Sequence, residues 1–255
     1  MYTWPATNFW VAVKQSFLKN RSCTSNLLEF LEQATTVVDE GEGYNVIYID
    51  FPKAFDKVPI QRLMKKVWAQ GIRGWAHNWI KQWLSGRKQW VVLNGKFSSW
   101  EEVLSGVPQG SVLGPLLFLL FINNLDAVEE SGVLVKKFAN DTKLGKVVKS
   151  DQDRAAIQKA LDSHLGWALK WGMQFNIEKC KIMHMGRANP RFEYTMNDRK
   201  LQETTEEKDI GVKVTSNLKP STLCASAAKT AQAVLSQITR AFHYRDRHVF
   251  VGLYK

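Results

Sequence analysis

The sequence predicts an α+β fold in which an antiparallel sheet packs on helices. Helix-like and strand-like segments alternate along the 255 residues. Several strand-like segments are joined as hairpins, which is typical of antiparallel sheets. Asn94-Gly95 lies between two of them and is the strongest short signal for a hairpin turn. Apolar residues make up 45% of the chain, the usual share for a globular protein with a buried core.

Helices are predicted where apolar residues recur at a spacing of three and four. The predicted helices cover residues 26–38, 60–70, a segment around residues 75–83, 151–171 and 221–242. The apolar run 112–122 is too short to span a bilayer and predicts a buried helix or strand. Trp75, Trp79 and Trp83 form a stripe on one helix, and we interpret it as core packing rather than a base-stacking surface.

Strands are predicted from short runs that are apolar on one or both faces. They cover residues 44–51, 89–93, 96–103, 133–138, 142–148, 175–177, 181–185, 194–196 and 210–214. The run 44–51 is apolar on both faces and predicts a buried strand, so Asp50 at its end is an anomaly. Asn140 and Asp141 lie at the turn of the hairpin formed by 133–138 and 142–148.

The charge balance favours a polyanionic partner. Lys and Arg number 35 against 24 for Asp and Glu, a net charge of +11, and each phosphate that a cation neutralises releases counterions. A basic protein that merely stays soluble is the alternative. The cysteines and histidines show no zinc-ligand spacing. Without a signal-peptide pattern we expect an intracellular protein, with no membrane partner, in either nucleus or cytoplasm.

Asp50 and Asp141 are candidate metal ligands. Nucleotidyl transfer uses two divalent ions, and Mg²⁺ prefers carboxylate oxygens. A carboxylate at a strand end beside one at a hairpin turn can supply such ligands. The spacing alone is a weak signal, because Asp and Asn are common in turns for backbone reasons.

Six sequence segments, in order, resemble the motifs of reverse transcriptases from LINE-type (non-LTR) retrotransposons. Residues 48–59 (YIDFPKAFDKVP) resemble motif A, 105–118 (SGVPQGSVLGPLLF) motif B and 138–144 (FANDTKL) motif C. Residues 171–181 (WGMQFNIEKCK) are similar to motif D and 207–212 (EKDIGV) to motif E, while 17–24 (FLKNRSCT) resemble the stretch before motif A. The nearest resemblance is to jockey-like elements.

The resemblance implies a right-hand polymerase palm with partial fingers and the start of a thumb. Residues 1–16 match no motif, 17–215 would form fingers and palm, and 216–255 would begin the thumb. The implied activity is RNA-directed DNA polymerisation. Its partners would be an RNA template, a DNA primer and deoxynucleoside triphosphates. Two Mg²⁺ ions would be the cofactors, with Mn²⁺ as the alternative ion.

The resemblance also implies roles for individual residues around the metal site. Asp50 and Asp141 would bind metal, Asp50 with the Phe51 carbonyl beside it. Phe55 would lie under the sugar and exclude a ribose 2′-hydroxyl. Lys179 would protonate the leaving pyrophosphate. By their own chemistry alone, Phe55 fits a core residue and Lys179 a surface lysine.

Further roles concern the substrates. Gln109 and Gly110 would line the nucleotide and template pocket, and Arg21 and Lys19 would contact the incoming triphosphate. A turn residue is the alternative for Gln109, and a solvated basic face is the alternative for Arg21 and Lys19. Asp56 matches motif A, but the resemblance implies no metal binding there.

Asn140 departs from the family pattern, which has an aspartate at this position. An amide oxygen can coordinate a cation but brings no negative charge, so we expect severely reduced or absent polymerase activity. The unmatched ends of the chain suggest a truncated copy. The alternatives are a catalytically silent nucleic-acid-binding remnant, an unstable pseudogene product and a group II intron maturase, although the motif strings fit the LINE group better.

Overall fold

The computed structural model describes residues 22–128, 132–138 and 141–241. The chain divides into two compact units between Thr204 and Thr205. In the described residues of the first unit, five helices and eleven strands are present. The second unit contributes two strands and one helix. Helices and a largely antiparallel sheet confirm the predicted α+β class.

The helices are α1 (Cys23–Asp39), α2 (Ile60–Ala69), α3 (Gly74–Leu84), α4 (Leu113–Ile122), α5 (Asp151–Trp171) and α6 (Ser221–Ala241). A 3₁₀ turn, Asn123–Val128, follows α4. The strands of the first unit are β1 (Tyr44–Ile49), β2 (Lys88–Gln89), β3 (Val92–Leu93), β4 (Lys96–Phe97), β5 (Glu101–Glu102), β6 (Leu134–Phe138), β7 (Asp141–Val147), β8 (Lys181–Met185), β9 (Thr195–Met196), β10 (Arg199–Lys200) and β11 (Gln202–Glu203). Those of the second unit are β12 (Glu206–Asp209) and β13 (Val212–Thr215).

Strand β1 is the centre of a five-stranded sheet with the order β11-β8-β1-β7-β6. It is antiparallel to both neighbours, β7 and β8, and all of its residues except Tyr48 are buried. A central strand covered on both faces requires apolar side chains in both orientations, which explains the continuous apolar run. The sheet therefore holds the end of β1 rigidly.

Two apolar clusters cover the sheet and the helices beside it. In one, Ile47 and Leu144 of the sheet pack with Ile157 and Leu161 of α5. In the other, the apolar residues of α2 and α4 pack around Phe51, just beyond the end of β1. The end of β1 thus lies where the two clusters meet.

Lys66 of α2 is buried inside the second cluster. Its ammonium nitrogen lies 4.6, 4.7 and 3.8 Å from the ring centres of Phe121, Trp167 and Trp171. It donates hydrogen bonds to the Phe121 carbonyl and to Asn124 Oδ1. Burial, with Lys137 and Lys170 nearby, lowers the pKa of Lys66 to about 7, because low polarity disfavours the charged form.

Local signals fix both ends of α5. Ser150 caps its start, because the Ser150 side chain accepts the Asp153 amide and Asp153 reciprocates. Gly172 ends the helix with a left-handed backbone, at a φ of 70°, which glycine adopts without steric cost. The predicted bounds, 151–171, are confirmed.

Two predictions about the first unit are wrong. Residues 175–177 form no strand; the Asn176 amide instead donates to the Asp50 carbonyl at 2.9 Å, and a turn follows at once. Core packing is wrong for Trp75 and Trp79, which are 79% and 43% exposed. The buried face of α3 is set by residues 80 and 84, which are rotated from the stripe by about 100° per residue.

The second unit is small. Strands β12 and β13 form a hairpin, and α6 follows with no buried residue. The strand predicted at 210–214 occurs as Val212–Thr215, and the predicted last helix occurs as α6. Among the helices of the described ranges, none is long and apolar enough to cross a membrane.

Candidate functional site

Asp50 directly follows the last residue of β1. Its side chain is 27% exposed, yet one oxygen, Oδ2, is buried and receives no hydrogen bond from any described residue. An ionised oxygen in that situation is costly unless a cation lies nearby. Lys179 is one such cation, and its Nζ lies 3.9 Å from Asp50 Oδ2.

Asp141 is the first residue of β7, the strand next to β1. The last pair of the β1–β7 ladder is Ile49 with Thr142, so Asp50 and Asp141 are each the residue next to that last pair. Asp141 is exposed. Strands β1 and β7 therefore carry the two predicted carboxylates at the same end of the sheet, although the two residues are distant in sequence.

Phe138 pairs with Asp141 across the β6–β7 hairpin, so the predicted hairpin is confirmed. Asn140 at its turn lies outside the described residues, as do Lys19 and Arg21. Among the residues with described side chains, no group of three or more His, Cys, Asp or Glu forms a metal cluster. The described part of the site is thus a pair of carboxylates.

Lys179 lies in a short turn tied to the end of β1. Its amide donates to the Asn176 carbonyl at 3.0 Å, and the Asn176 amide donates to the Asp50 carbonyl at 2.9 Å. The Lys179 side chain is 69% exposed. The next residue, Cys180, is buried, and burial raises the pKa of its thiol to about 11. The turn therefore fixes the backbone of Lys179 while its side chain reaches solvent.

The two predicted phenylalanines lie in different environments. Phe51 is 2% exposed, and its ring packs on Phe175, with ring centres 4.3 Å apart. Phe55 is only half-buried and stacks on Phe118, with ring centres 4.3 Å apart and planes 22° apart. Phe118 supports one face of the Phe55 ring, which keeps an exposed part.

The loop 105–110 is held against the loop that follows β1. The Val107 amide donates to the Phe55 carbonyl at 2.8 Å, and the Ser105 hydroxyl donates to the Asp56 carbonyl at 2.7 Å. Gln109 Nε2 donates to Asp56 Oδ1 at 3.0 Å. Asp56, which the sequence left without a role, thus orients Gln109.

Gly106 is the residue that permits this close approach. Its φ is +85°, and a Cβ atom there would lie 2.6 Å from the Asp56 carbonyl oxygen. Only glycine fits both conditions. Gly110 also has a positive φ, of 76°, and is exposed at the end of the loop.

Arg87 fastens the other side of the loop. Its guanidinium donates to the carbonyls of Leu84 (2.9 Å), Ser105 (3.1 Å) and Gly106 (2.6 Å). Burial lowers the pKa of Arg87 from its ordinary value. The sequence analysis missed Arg87, because its partners in the loop lie 18 and 19 residues away and no motif links them.

A groove of about 710 Å³ runs along this loop. Lys53, Arg87 and Lys88 contribute cations to its lining, and Asp56 and Glu102 contribute carboxylates. Ligand pockets commonly have volumes of about 300–1,000 Å³, so the groove is large enough for a nucleotide unit. Gln109 also lines it.

The chain is similar in sequence to known proteins of one family. The family model described as "Reverse transcriptase (RNA-dependent DNA polymerase)" matches residues 8–231. The chain is 30% identical over 190 residues to "RNA-directed DNA polymerase from mobile element jockey" of Drosophila funebris, covering 70% of this chain and 20% of that protein. It is 31% identical over 162 residues to "Probable RNA-directed DNA polymerase from transposon X-element" of Drosophila melanogaster, covering 62% of this chain and 18% of that protein.

Solved structures show the same fold. Apo telomerase from Candida tropicalis matches with a TM-score of 0.54 and 10% identity, over 82% of this chain and 37% of that chain. Telomerase from Candida albicans matches with a TM-score of 0.51 and 12% identity, over 82% of this chain and 36% of that chain. The predicted right-hand polymerase palm is confirmed, and the chain spans about a fifth of the jockey proteins. This chain belongs to the reverse transcriptase family, and it is similar to polymerases of non-LTR retrotransposons such as jockey.

Proposed function

We propose that this palm is built for template-directed DNA synthesis at Asp50 and Asp141, and that Asn140 impairs it. The observation that carries the proposal is the buried Asp50 Oδ2, which receives no hydrogen bond from a described residue and lies just beyond the end of β1, beside the strand β7 that begins with Asp141. The substrates would be an RNA template, a DNA primer and deoxynucleoside triphosphates.

The residues fit a pair of Mg²⁺ ions, or Mn²⁺ as the alternative. Carboxylate oxygens are the ligands that hard divalent cations prefer, and a cation beside Asp50 would satisfy its buried oxygen. When bound, the ions would stabilise the charge on the attacking and leaving oxygens. Asp50 and Asp141 would hold them from two adjacent strands. Asn140 would contribute an amide where family members contribute a second charge at the hairpin turn.

Lys179 would be the proton donor of the reaction. In nucleotidyl transfer the primer 3′-hydroxyl loses its proton to water, its oxygen bonds to the α-phosphorus, and the bond between the α-phosphorus and the pyrophosphate breaks. The leaving pyrophosphate gains negative charge, and an ammonium close to Asp50 can protonate it. The exposed Lys179 side chain on a fixed backbone suits that role, because its rotamers can follow the departing group.

The remaining residues would position the substrates. The exposed part of the Phe55 ring, braced by Phe118, would sit under the sugar and oppose a ribose 2′-hydroxyl. Gln109, oriented by Asp56, and Gly110 would line the pocket for template and nucleotide. Arg21 and Lys19 would contact the triphosphate, and the Phe51 carbonyl would lie beside the metal.

Primer extension on an RNA template with Mg²⁺ tests the proposal. We expect little or no product from this chain and at least a tenfold increase from Asn140→Asp, since each 1.4 kcal/mol of transition-state stabilisation is worth about tenfold. Adding Asp50→Asn to the restored protein should abolish the gain. Full activity of the native chain would refute the role given to Asn140.

A catalytically silent nucleic-acid-binding module is the second candidate. The cation-lined groove beside Gln109 favours it, because phosphate binding needs no metal. If Asn140→Asp stays inactive while both proteins bind a primer–template duplex with equal affinity, this second function replaces the first.

A further inference from the structure

The hairpin from Lys88 to Glu102 exposes an unusual amount of aromatic surface. Trp90, Phe97 and Trp100 are 47%, 61% and 57% exposed. The rings nevertheless contact one another: Trp90 and Trp100 stack with centres 4.4 Å and planes 19° apart. The ring centres of Trp90 and Phe97 are 4.8 Å apart. Such a cluster is costly on a free surface and marks an interaction site.

The aromatic cluster lies on the same hairpin as part of the lining of the groove beside Gln109. Trp90 directly follows strand β2, whose two residues, Lys88 and Gln89, both line the groove. Lys88 pairs with Glu102, which also lines the groove. The stacked rings therefore adjoin a groove whose lining includes the cations Lys53, Arg87 and Lys88.

We propose that this hairpin and the adjoining groove bind a single-stranded nucleic acid, with bases stacking on Trp90, Trp100 and Phe97 and phosphates facing Lys53 and Lys88. Surfaces that bind single strands combine aromatic platforms with cationic grooves. The cations in the groove outnumber its carboxylates, Lys53, Arg87 and Lys88 against Asp56 and Glu102, and the +11 charge of the chain favours a polyanion over an apolar protein segment.

The inference deepens the proposed function. Only the identity of the bound nucleic acid rests on the proposed function: it would be the part of the template that has not yet been copied. Gln109, assigned to the template pocket, lines the same groove. A strand held on the rings would therefore lead along the loop 105–110 toward the carboxylate pair.

Fluorescence anisotropy of a labelled, unstructured RNA of about 12 nucleotides tests the binding surface. We expect Trp90→Ala/Trp100→Ala to weaken binding about tenfold, the loss of about one stacked base. Trp75→Ala/Trp79→Ala is the matched control, because these two indoles are also exposed and stacked but belong to helix α3 rather than to the hairpin. It should change the affinity by less than about twofold. A DNA strand of the same sequence should show the same pattern, since every base has a stacking face.

Two further variants separate stacking from misfolding and from simple charge. Trp90→Phe/Trp100→Phe keeps flat rings and should recover most of the affinity. Lys53→Ala/Lys88→Ala should lower the slope of log affinity against log salt by about 1.4, since each phosphate contact contributes about 0.7 for a single strand.

Equal losses in the hairpin and control pairs would overturn the proposal, as would an unchanged affinity in the hairpin pair. A change from dimer to monomer with unaltered RNA affinity would instead make the hairpin a self-association surface. None of these binding results depends on catalysis. If the proposed function fails, Asn140→Asp does not extend a primer although its hairpin is unmutated and still binds RNA.

Discussion

The sheet around β1 and the hairpin from Lys88 to Glu102 are built from similar residues and used in opposite ways. In β1 the valine and both isoleucines are buried, and α5 packs against Ile47 and Ile49. In the hairpin, Val92 and Leu93 are 52% and 72% exposed. The difference lies in what packs around each segment. Burial on both faces fixes Asp50 in place, whereas exposure leaves the hairpin free to contact a ligand.

The largest expected effect comes from placing a charge in each region. Ile47→Asp in β1 should cost about 4 kcal/mol of unfolding free energy, because it buries an unpaired carboxylate. Val92→Asp in the hairpin should cost less than about 0.5 kcal/mol, since that side chain is exposed. Urea unfolding measures both. Similar losses of unfolding free energy at the two positions would contradict the difference in burial between β1 and the hairpin.

A buried lysine, Lys66, gives the stability of the core a pH dependence. The pKa of Lys66 is lowered to about 7, so the unfolded chain binds one more proton than the folded chain between about pH 7 and the ordinary lysine pKa near 10.4. Stability should therefore rise with pH, by about 2 kcal/mol from pH 7 to pH 9, since each pH unit is worth about 1.4 kcal/mol per proton. Below pH 7 this contribution should level off.

Urea unfolding of Lys66→Met is the control for that prediction. The variant has a side chain of similar length but no titrating group at this position. Its unfolding free energy should therefore lack the increase with pH that Lys66 contributes. A native protein and a variant with parallel pH profiles would show that Lys66 keeps an ordinary pKa.

The smallest expected effect concerns the loop between the two regions. Gly106→Ala should cost about 1 kcal/mol more than Gly41→Ala. Both glycines have a positive φ, of 85° and 84°, but only at Gly106 would a Cβ atom meet backbone, 2.6 Å from Asp56 O. The difference in urea midpoints isolates this contact. Equal losses of stability in the two variants would mean that the loop can move to accommodate a Cβ atom at residue 106, so that its close contact with Asp56 is not required.

Sequence reasoning succeeded where the determining contacts are local. The bounds of α5 follow from Ser150 and Gly172, which lie at its two ends. Asn94-Gly95 marks the turn between β3 and β4, and both residues have the positive φ values, 50° and 75°, that such turns require. The two carboxylates were identified by motif resemblance, and each lies next to the last pair of the β1–β7 ladder.

Sequence reasoning failed where distant contacts decide. The run 175–177 looks like a strand, but it makes one backbone hydrogen bond to the end of β1, from the Asn176 amide to the Asp50 carbonyl. Its carbonyls accept from the local turn residues Lys179 and Cys180 instead of from a neighbouring strand. The exposure of Trp75 and Trp79 depends on which face of α3 meets the core. The contacts of Arg87 with Ser105 and Gly106 form only after the chain folds, so no local pattern announces them.

Binding of Mn²⁺, followed by the loss of its free-ion electron paramagnetic resonance signal, tests the central claim most directly. The claim is that Asp50 and Asp141 hold divalent cations and that Asn140 weakens this binding by removing a charge. The native chain should bind Mn²⁺ at least about tenfold more weakly than Asn140→Asp, a difference of about 1.4 kcal/mol. Asp50→Asn in the restored protein should remove the tight binding. Equal affinities for the native chain and Asn140→Asp would contradict the account.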